Sequence, residues 1–111
     1  MELPEERVGD AVVLDARGRI DSTTAKEFGD RMIGHIESGC RRLVVDFKNL
    51  AYISSAGFRA LLLAAKKAEE TSSHFVLCGI SGKIKQLFEI GGFTDLFNIY
   101  PSREDGLSAL R

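Results

Sequence analysis

Basic residues are not in excess in this chain. Fifteen Lys and Arg stand against sixteen Asp and Glu, for a formal net charge of −1 and a pI near 6.1. A nucleic-acid-binding domain normally carries a basic excess, so no direct nucleic-acid partner is expected. Long apolar runs are also missing. The longest near the centre is "ALLLAA", residues 60–65, against about 18 residues needed to suggest a membrane span. The opening "MELPEERVGD" is acidic and lacks the basic-then-apolar order of a signal peptide. A cytoplasmic protein without a membrane partner is the expectation. Cysteine is scarce: Cys40 and Cys78 do not make a disulfide framework. Neither His35 with Cys40 nor His74 with Cys78 has the close double spacing of a structural zinc site, and Cys78 reads as a small buried hydrophobe within "FVLCGI". No metal is expected.

The motifs of common catalysts are absent too. There is no G-x-S-x-G elbow, no Walker phosphate loop and no G-x-G-x-x-G run. A serine without a general base is a poor nucleophile, and the two histidines fall late in a helical stretch and just before a strand. The chain therefore reads as a binding module and not an enzyme, with no cofactor.

What is present is the material of one domain over residues 1–111: 44% apolar and 28% charged residues. "ERVGDAVVLDARGRI" reads as two short strands joined at a Gly9-Asp10 hairpin turn. Ala25, Phe28, Met32 and Ile36 form the apolar stripe of a helix, with Thr24 and Glu27 in capping-box spacing and Gly39 as its stop. "RLVVDF", residues 42–47, fits a buried parallel strand. A loop follows, then a helix from about Ala56 to Glu70 with an expected apolar face of Phe58, Leu61, Leu62, Ala65 and Ala68. "HFVLCGI" is another buried strand, and "GKIKQLFEI" a short helix closed by Gly91-Gly92. "LFNIY" reads as a last strand, and "SREDGLSAL" as a terminal helix capped by Ser102. Strands alternate with helices after an opening hairpin. The expected fold is α/β, a mixed, mainly parallel sheet of about five strands packed with about four helices.

In such a fold, right-handed crossovers bring the strand-to-helix loops to one edge of the sheet. "GRIDST", "KNLAYISSAG" and "ISGK" should gather there, which makes Asp21 and Ser55 neighbours. A serine before a helix is ordinarily an N-cap, stabilising by about 1 kcal/mol. It also stands where free N–H groups and the helix dipole favour an anion, so a phosphate could be accommodated. From the residues alone both readings stand.

"DFKNLAYISSAGFRALLLA" resembles the central motif of STAS domains, specifically bacterial anti-sigma factor antagonists of the sporulation and general-stress type. "GRIDSTTAKEF" is similar to their Gly-x-Leu/Ile-Asp segment, and "VLCGISGKIKQLFEIGGFTDLFNIYPSREDGLSAL" to their C-terminal half. Against the family's Asp-Ser-Ser/Thr-Gly loop, Ser54 falls at the Asp, Ser55 at the phosphorylated serine, Ala56 at the variable position and Gly57 at the glycine. Asp21 falls at the acidic residue beside the phosphorylation site. The resemblance implies that the unphosphorylated form binds an anti-sigma factor serine kinase and frees a sigma factor. It further implies inactivation by phosphorylation at Ser55, with Ser54 as a second candidate hydroxyl, and restoration by a serine phosphatase. Gly57 reads either as a close approach of the loop to the sheet or as room for the kinase. Arg59 reads as a solvated arginine or as one reaching a phosphoserine one turn back. A non-catalytic STAS scaffold subunit of a larger stress-signalling or transport complex is the competing reading. Monomer and weak dimer are both open.

Overall fold

The structure is a computed structural model that describes residues 1–109. The hairpin forms as the sequence implies: β1 (Glu5–Val8) and β2 (Ala11–Asp15) pair antiparallel, with Val8 opposite Ala11. Gly9 takes a φ of +64° at the turn, a torsion costly for any residue with a Cβ. The β2 run then pairs in parallel with β4 (Arg42–Asp46), β4 with β6 (His74–Cys78), and β6 with β7 (Asn98–Tyr100). The sheet order is β1-β2-β4-β6-β7, five strands with only β1 reversed. The expected mixed, mainly parallel sheet is therefore present.

Period-two alternation divides the sheet's side chains between two faces. Val12, Leu14, Leu43, Val45, Phe75 and Leu77 enter the main core. They are covered by α1 (Ala25–Glu37), α2 (Ser55–Glu70) and α3 (Gly82–Ile90), whose apolar residues belong to the same cluster. Edge-to-face rings tie this layer together: Phe47 meets both Phe28 and Phe88, and Phe58 meets Phe88 and stacks on Phe93 at 4.2 Å. The other face is a narrow strip of Val13, Val44, Val76 and Cys78, packed against Tyr100 and Leu107. Its helix is α4 (Arg103–Ala109), started by Ser102, whose Oγ accepts from the Asp105 N–H at 3.1 Å. The expected end of that helix, Leu110, lies outside the described residues.

Three expectations about the elements need correction. First, β3 (Gly18–Ile20) and β5 (Leu50–Ile53) form a separate two-stranded parallel ribbon where loop was expected. Only Ile20, Leu50 and Ile53 of it are buried, too few for a strand period to show. Second, no capping box forms at α1. Thr24 Oγ1 accepts from the Asp21 N–H and donates to the Arg19 carbonyl, while Glu27 pairs with the N-terminal amine. Third, the buried face of α2 is rotated: Gly57, Ala60 and Ala64 lie inside with Phe58, Leu61 and Ala68, whereas Leu62 is exposed and Ala65 half-buried. Small residues let α2 pack closely, Ala60 on α1 and Gly57 on the ribbon. A Cβ added at Gly29 would sit 3.4 Å from that of Ala60.

Two glycines give opposite expectations. At Gly57 a Cβ would lie 2.6 Å from Ile53 Cγ1 and 2.7 Å from Ile20 Cγ2, an overpacking that costs about 1–3 kcal/mol. At Gly106 the nearest atom is Val76 Cγ2 at 3.5 Å, an ordinary contact, so alanine recovers up to about 1 kcal/mol of helix propensity. Urea unfolding of Gly57→Ala and Gly106→Ala should shift the midpoint down and up respectively. An unchanged midpoint in Gly57→Ala would show that the ribbon yields.

Candidate functional site

The ribbon places the site. Ile20 pairs with Ile53, both fully buried, so the residues that follow them emerge side by side at the carboxyl edge of the parallel strands. The Ser54 N–H donates to the Ile20 carbonyl at 2.8 Å, which joins the "IDST" and "ISSAG" segments directly. Asp21 and Ser55 are thus brought to one edge. Gly82 opens α3, which follows the parallel strand β6 to that same edge and packs against β5.

Asp21 closes a local turn. Its Oδ1 accepts from the Thr23 N–H at 2.9 Å and the Thr23 hydroxyl at 2.7 Å, and its carbonyl accepts from Ala25 at 2.8 Å. The Thr23 hydroxyl bond, then the Thr23 N–H bond, hold its carboxyl below the usual aspartate range. A lowered carboxyl pKa contributes stability near neutral pH that is lost as the pH falls through and below the ordinary carboxylate range. Asp21→Asn keeps an acceptor for Thr23 but carries no charge. It should leave the fold intact and lose that pH dependence, seen by comparing thermal midpoints at neutral and acidic pH. An acid loss equal to wild type would overturn this account.

The two serines divide their roles. Ser54, half-buried and extended at ψ 175°, is the N-cap of α2, its Oγ accepting from the Gly57 N–H at 3.4 Å. Ser55 is the first residue of the helix and not, as expected, the residue before it. Its side chain is exposed, and its hydroxyl has no partner among the described residues. The N–H groups of Ser55 and Ala56 are likewise unpaired among them, as expected of a first helical turn. The departure of Ser54 from the family's aspartate therefore costs little locally, because Ser and Asp are comparable N-caps.

The remaining expected residues fall into place around this turn. Gly57 is buried with its hydrogens toward Ile20 and Ile53, so close approach explains it in structural terms. Ala56 is half-buried and Arg59 exposed, and both line a shallow apolar groove between α1 and α2 with Ala25, Gly29, Ala60 and Leu63. Arg59 lies one turn along from Ser55 and makes no ion pair among the described residues. Neither histidine is here. His35 contacts Glu5 late in α1, and His74 opens β6 at the opposite end of the strand from Cys78. No group of metal-binding side chains occurs among the described residues.

Sequence reasoning missed a second polar cluster at the carboxyl edge, on the α4 face. Asp15 and Asp46 sit opposite each other on β2 and β4, both buried. Arg17 and Asn49 bind Asp15, while Arg103 donates to Asp46 Oδ2 at 3.2 and 3.3 Å and to Glu6 at 3.0 Å. Lys48 N–H satisfies Asp46 Oδ1. Beside them burial, then the Asp46 charge, pushes the Cys78 thiol up to about 12. The signal was available: an aspartate ends each of the apolar runs "AVVLD" and "LVVD".

A STAS domain model matches residues 3–106. The chain belongs to the STAS domain family. It is 32% identical over 111 residues to BtrV of Bordetella bronchiseptica, provisionally named an anti-sigma factor antagonist, covering 100% of this chain and 96% of that one. A crystal structure from Thermotoga maritima, likewise provisionally named an anti-sigma factor antagonist, superposes with a TM-score of 0.90 at 15% identity, over 98% of this STAS chain and 94% of its own. The Bacillus cell fate determinant SpoIIAA in its phosphorylated form gives a TM-score of 0.75 at 18% identity, covering 99% and 100%. At such identities the two structures attest the STAS fold. No helix among the described residues is long and apolar enough to cross a membrane.

Proposed function

We propose that this STAS domain is an anti-sigma factor antagonist whose unphosphorylated form binds an anti-sigma factor serine kinase and releases a sigma factor. Phosphorylation at Ser55 inactivates it, and a serine phosphatase restores it. The observation that carries this reading is the division of labour at α2: Ser54 takes the cap, leaving the Ser55 hydroxyl exposed, without a partner among the described residues, at a helix N-terminus on the same edge as Asp21. A phosphate there meets the unpaired N–H groups and the positive end of the helix dipole, so the fold accommodates it. The names of the relatives support the first part of this reading, the anti-sigma factor antagonist.

The site favours binding over catalysis. Asp21, at the same edge as Ser55, is engaged by Thr23, and both histidines lie elsewhere. A base to activate Ser55 must come from the partner, as it does when the serine is a kinase's substrate. The deciding experiment incubates the protein with each anti-sigma factor kinase of its host and ATP, then maps the phosphopeptide. Phosphate on Ser55 is the expected result. Phosphate on Ser54 alone, or none with a kinase that binds, overturns the switch and favours a scaffold role.

A further inference from the structure

Beside the serine turn, on the outer side of the ribbon, Arg19 of β3 lies opposite Tyr52 of β5. The guanidinium carbon stands 4.4 Å from the centroid of the Tyr52 ring, a cation–π stack. Its Nε is 3.9 Å from Asp21 Oδ2, the only acid within ion-pair distance of it among the described residues. Its backbone carbonyl is fixed by the Thr24 hydroxyl. The side chain remains 62% exposed despite these restraints. The next pair along the ribbon, Ile20 and Ile53, launches Asp21 and Ser54.

We propose that Arg19, held by Tyr52, is a specificity-determining contact for the partner kinase, and that it receives a carboxylate from the kinase's surface. The proposal rests on the reading of the chain as an anti-sigma factor antagonist. Three properties converge on it. Arginine and tyrosine are over-represented among the residues that dominate binding energy. Stacking on the ring restrains a side chain that would otherwise lose much rotamer freedom on binding, so less is lost when the partner arrives. The long contact to Asp21 is made through Nε and leaves the terminal nitrogens with no hydrogen bond or acid partner among the described residues, so the fork can take a carboxylate in two parallel hydrogen bonds. A lysine supplies neither the fork nor the planar stack.

The ribbon places this cation next to the anion of Asp21. A partner surface must then offer an acid to Arg19 and a donor or cation to Asp21 in a fixed order. Such an alternation rejects surfaces of the wrong pattern through like-charge contacts. Arg19 thereby acts on partner choice, while Ser55 acts on whether binding occurs at all.

The test titrates each purified anti-sigma factor kinase of the host with wild type, Ser55→Asp, Arg19→Ala, Arg19→Lys, Arg19→Glu and Tyr52→Leu, and records the thermal midpoint of every variant. The kinase that binds wild type and rejects Ser55→Asp is the probe. With it, Arg19→Ala should lose about 30-fold or more in affinity, Arg19→Glu should lose more, and Arg19→Lys should not restore wild-type binding. Tyr52→Leu should weaken binding less than Arg19→Ala. Replacing the contacted acid of the kinase by arginine should restore binding to Arg19→Glu. If Arg19→Glu binds that kinase like wild type, or if the Arg19 variants lose stability and affinity in proportion, Arg19 only pins the ribbon and the proposal falls alone. If no kinase distinguishes wild type from Ser55→Asp, the functional reading falls and takes this proposal with it.

Discussion

Ser55→Asp is expected to lose kinase binding by more than a hundredfold while keeping its unfolding midpoint, and Ser55→Ala to bind constitutively. The first half follows from desolvation. A partner packed over an exposed neutral hydroxyl must strip water from one full negative charge in Ser55→Asp, and from nearly two in the phosphoserine. A loss of about 3 kcal/mol is already more than a hundredfold in affinity. The second half follows from position. Ser55 has no hydrogen bond to lose among the described residues, and the capping duty belongs to Ser54. A negative group at the first position of α2 is favourable to the helix, so the fold tolerates the change that the interface does not. Ser54→Ala makes the contrasting variant. It should lower stability by about 1 kcal/mol through the lost cap and still accept phosphate at Ser55. Titration of the partner with each variant, alongside urea unfolding, separates the two serines. Equal binding by Ser55→Asp and wild type would remove the switch from this residue.

That contrast was only half legible in the sequence. The pair of serines before an apolar helix announced an N-terminus, but which of them caps depends on where the preceding strand stops. Strand β5 holds the chain extended through Ile53, and the Ile20 carbonyl takes the Ser54 N–H, so the helix begins one residue earlier than its apolar pattern suggests. The central strands were legible because "VVL", "LVVD" and "FVLC" are buried on both faces and read as continuous runs. Helix α1 was legible because Phe28, Met32 and Ile36 are large. Helix α2 misled because its closest contacts use Gly57, Ala60 and Ala64, which carry little hydrophobic signal, while the strong signal of Leu62 and Leu63 points to solvent. The cluster beneath α4 was not legible as a unit. Its members are far apart in the chain, and an aspartate at the end of an apolar run looks like the beginning of a loop.

Arg103→Ala, within that cluster, is expected to be the most destabilising single change considered for this STAS domain. Asp46 is 2% exposed and depends on Arg103 for its counter-charge. Removing one partner of a buried pair costs about 3–5 kcal/mol, out of a total of about 5–15 kcal/mol for a folded domain. Loss of the arginine also releases α4 from β1, since the same guanidinium holds Glu6. Replacing the charge along with its partner separates these effects. In Asp46→Asn/Arg103→Ala the amide oxygen still accepts from Lys48 N–H, and no uncompensated charge remains, so most of the lost stability should return. Cys78 supplies a local readout. It is fully buried under α4, and its thiol is pushed up to about 12, so the native protein holds almost no thiolate near neutral pH. A raised thiol pKa keeps its full stabilising contribution below the unfolded thiol's pKa and loses it as the pH climbs toward 12. Wild type should therefore resist alkylation at Cys78 at pH 8, and Arg103→Ala should react there at a rate approaching that of an ordinary thiol, with the half-buried Cys40 as the internal comparison. If Arg103→Ala unfolds at the wild-type urea concentration and Cys78 stays protected, the strip of Val13, Val44 and Val76 holds α4 without the ion pair.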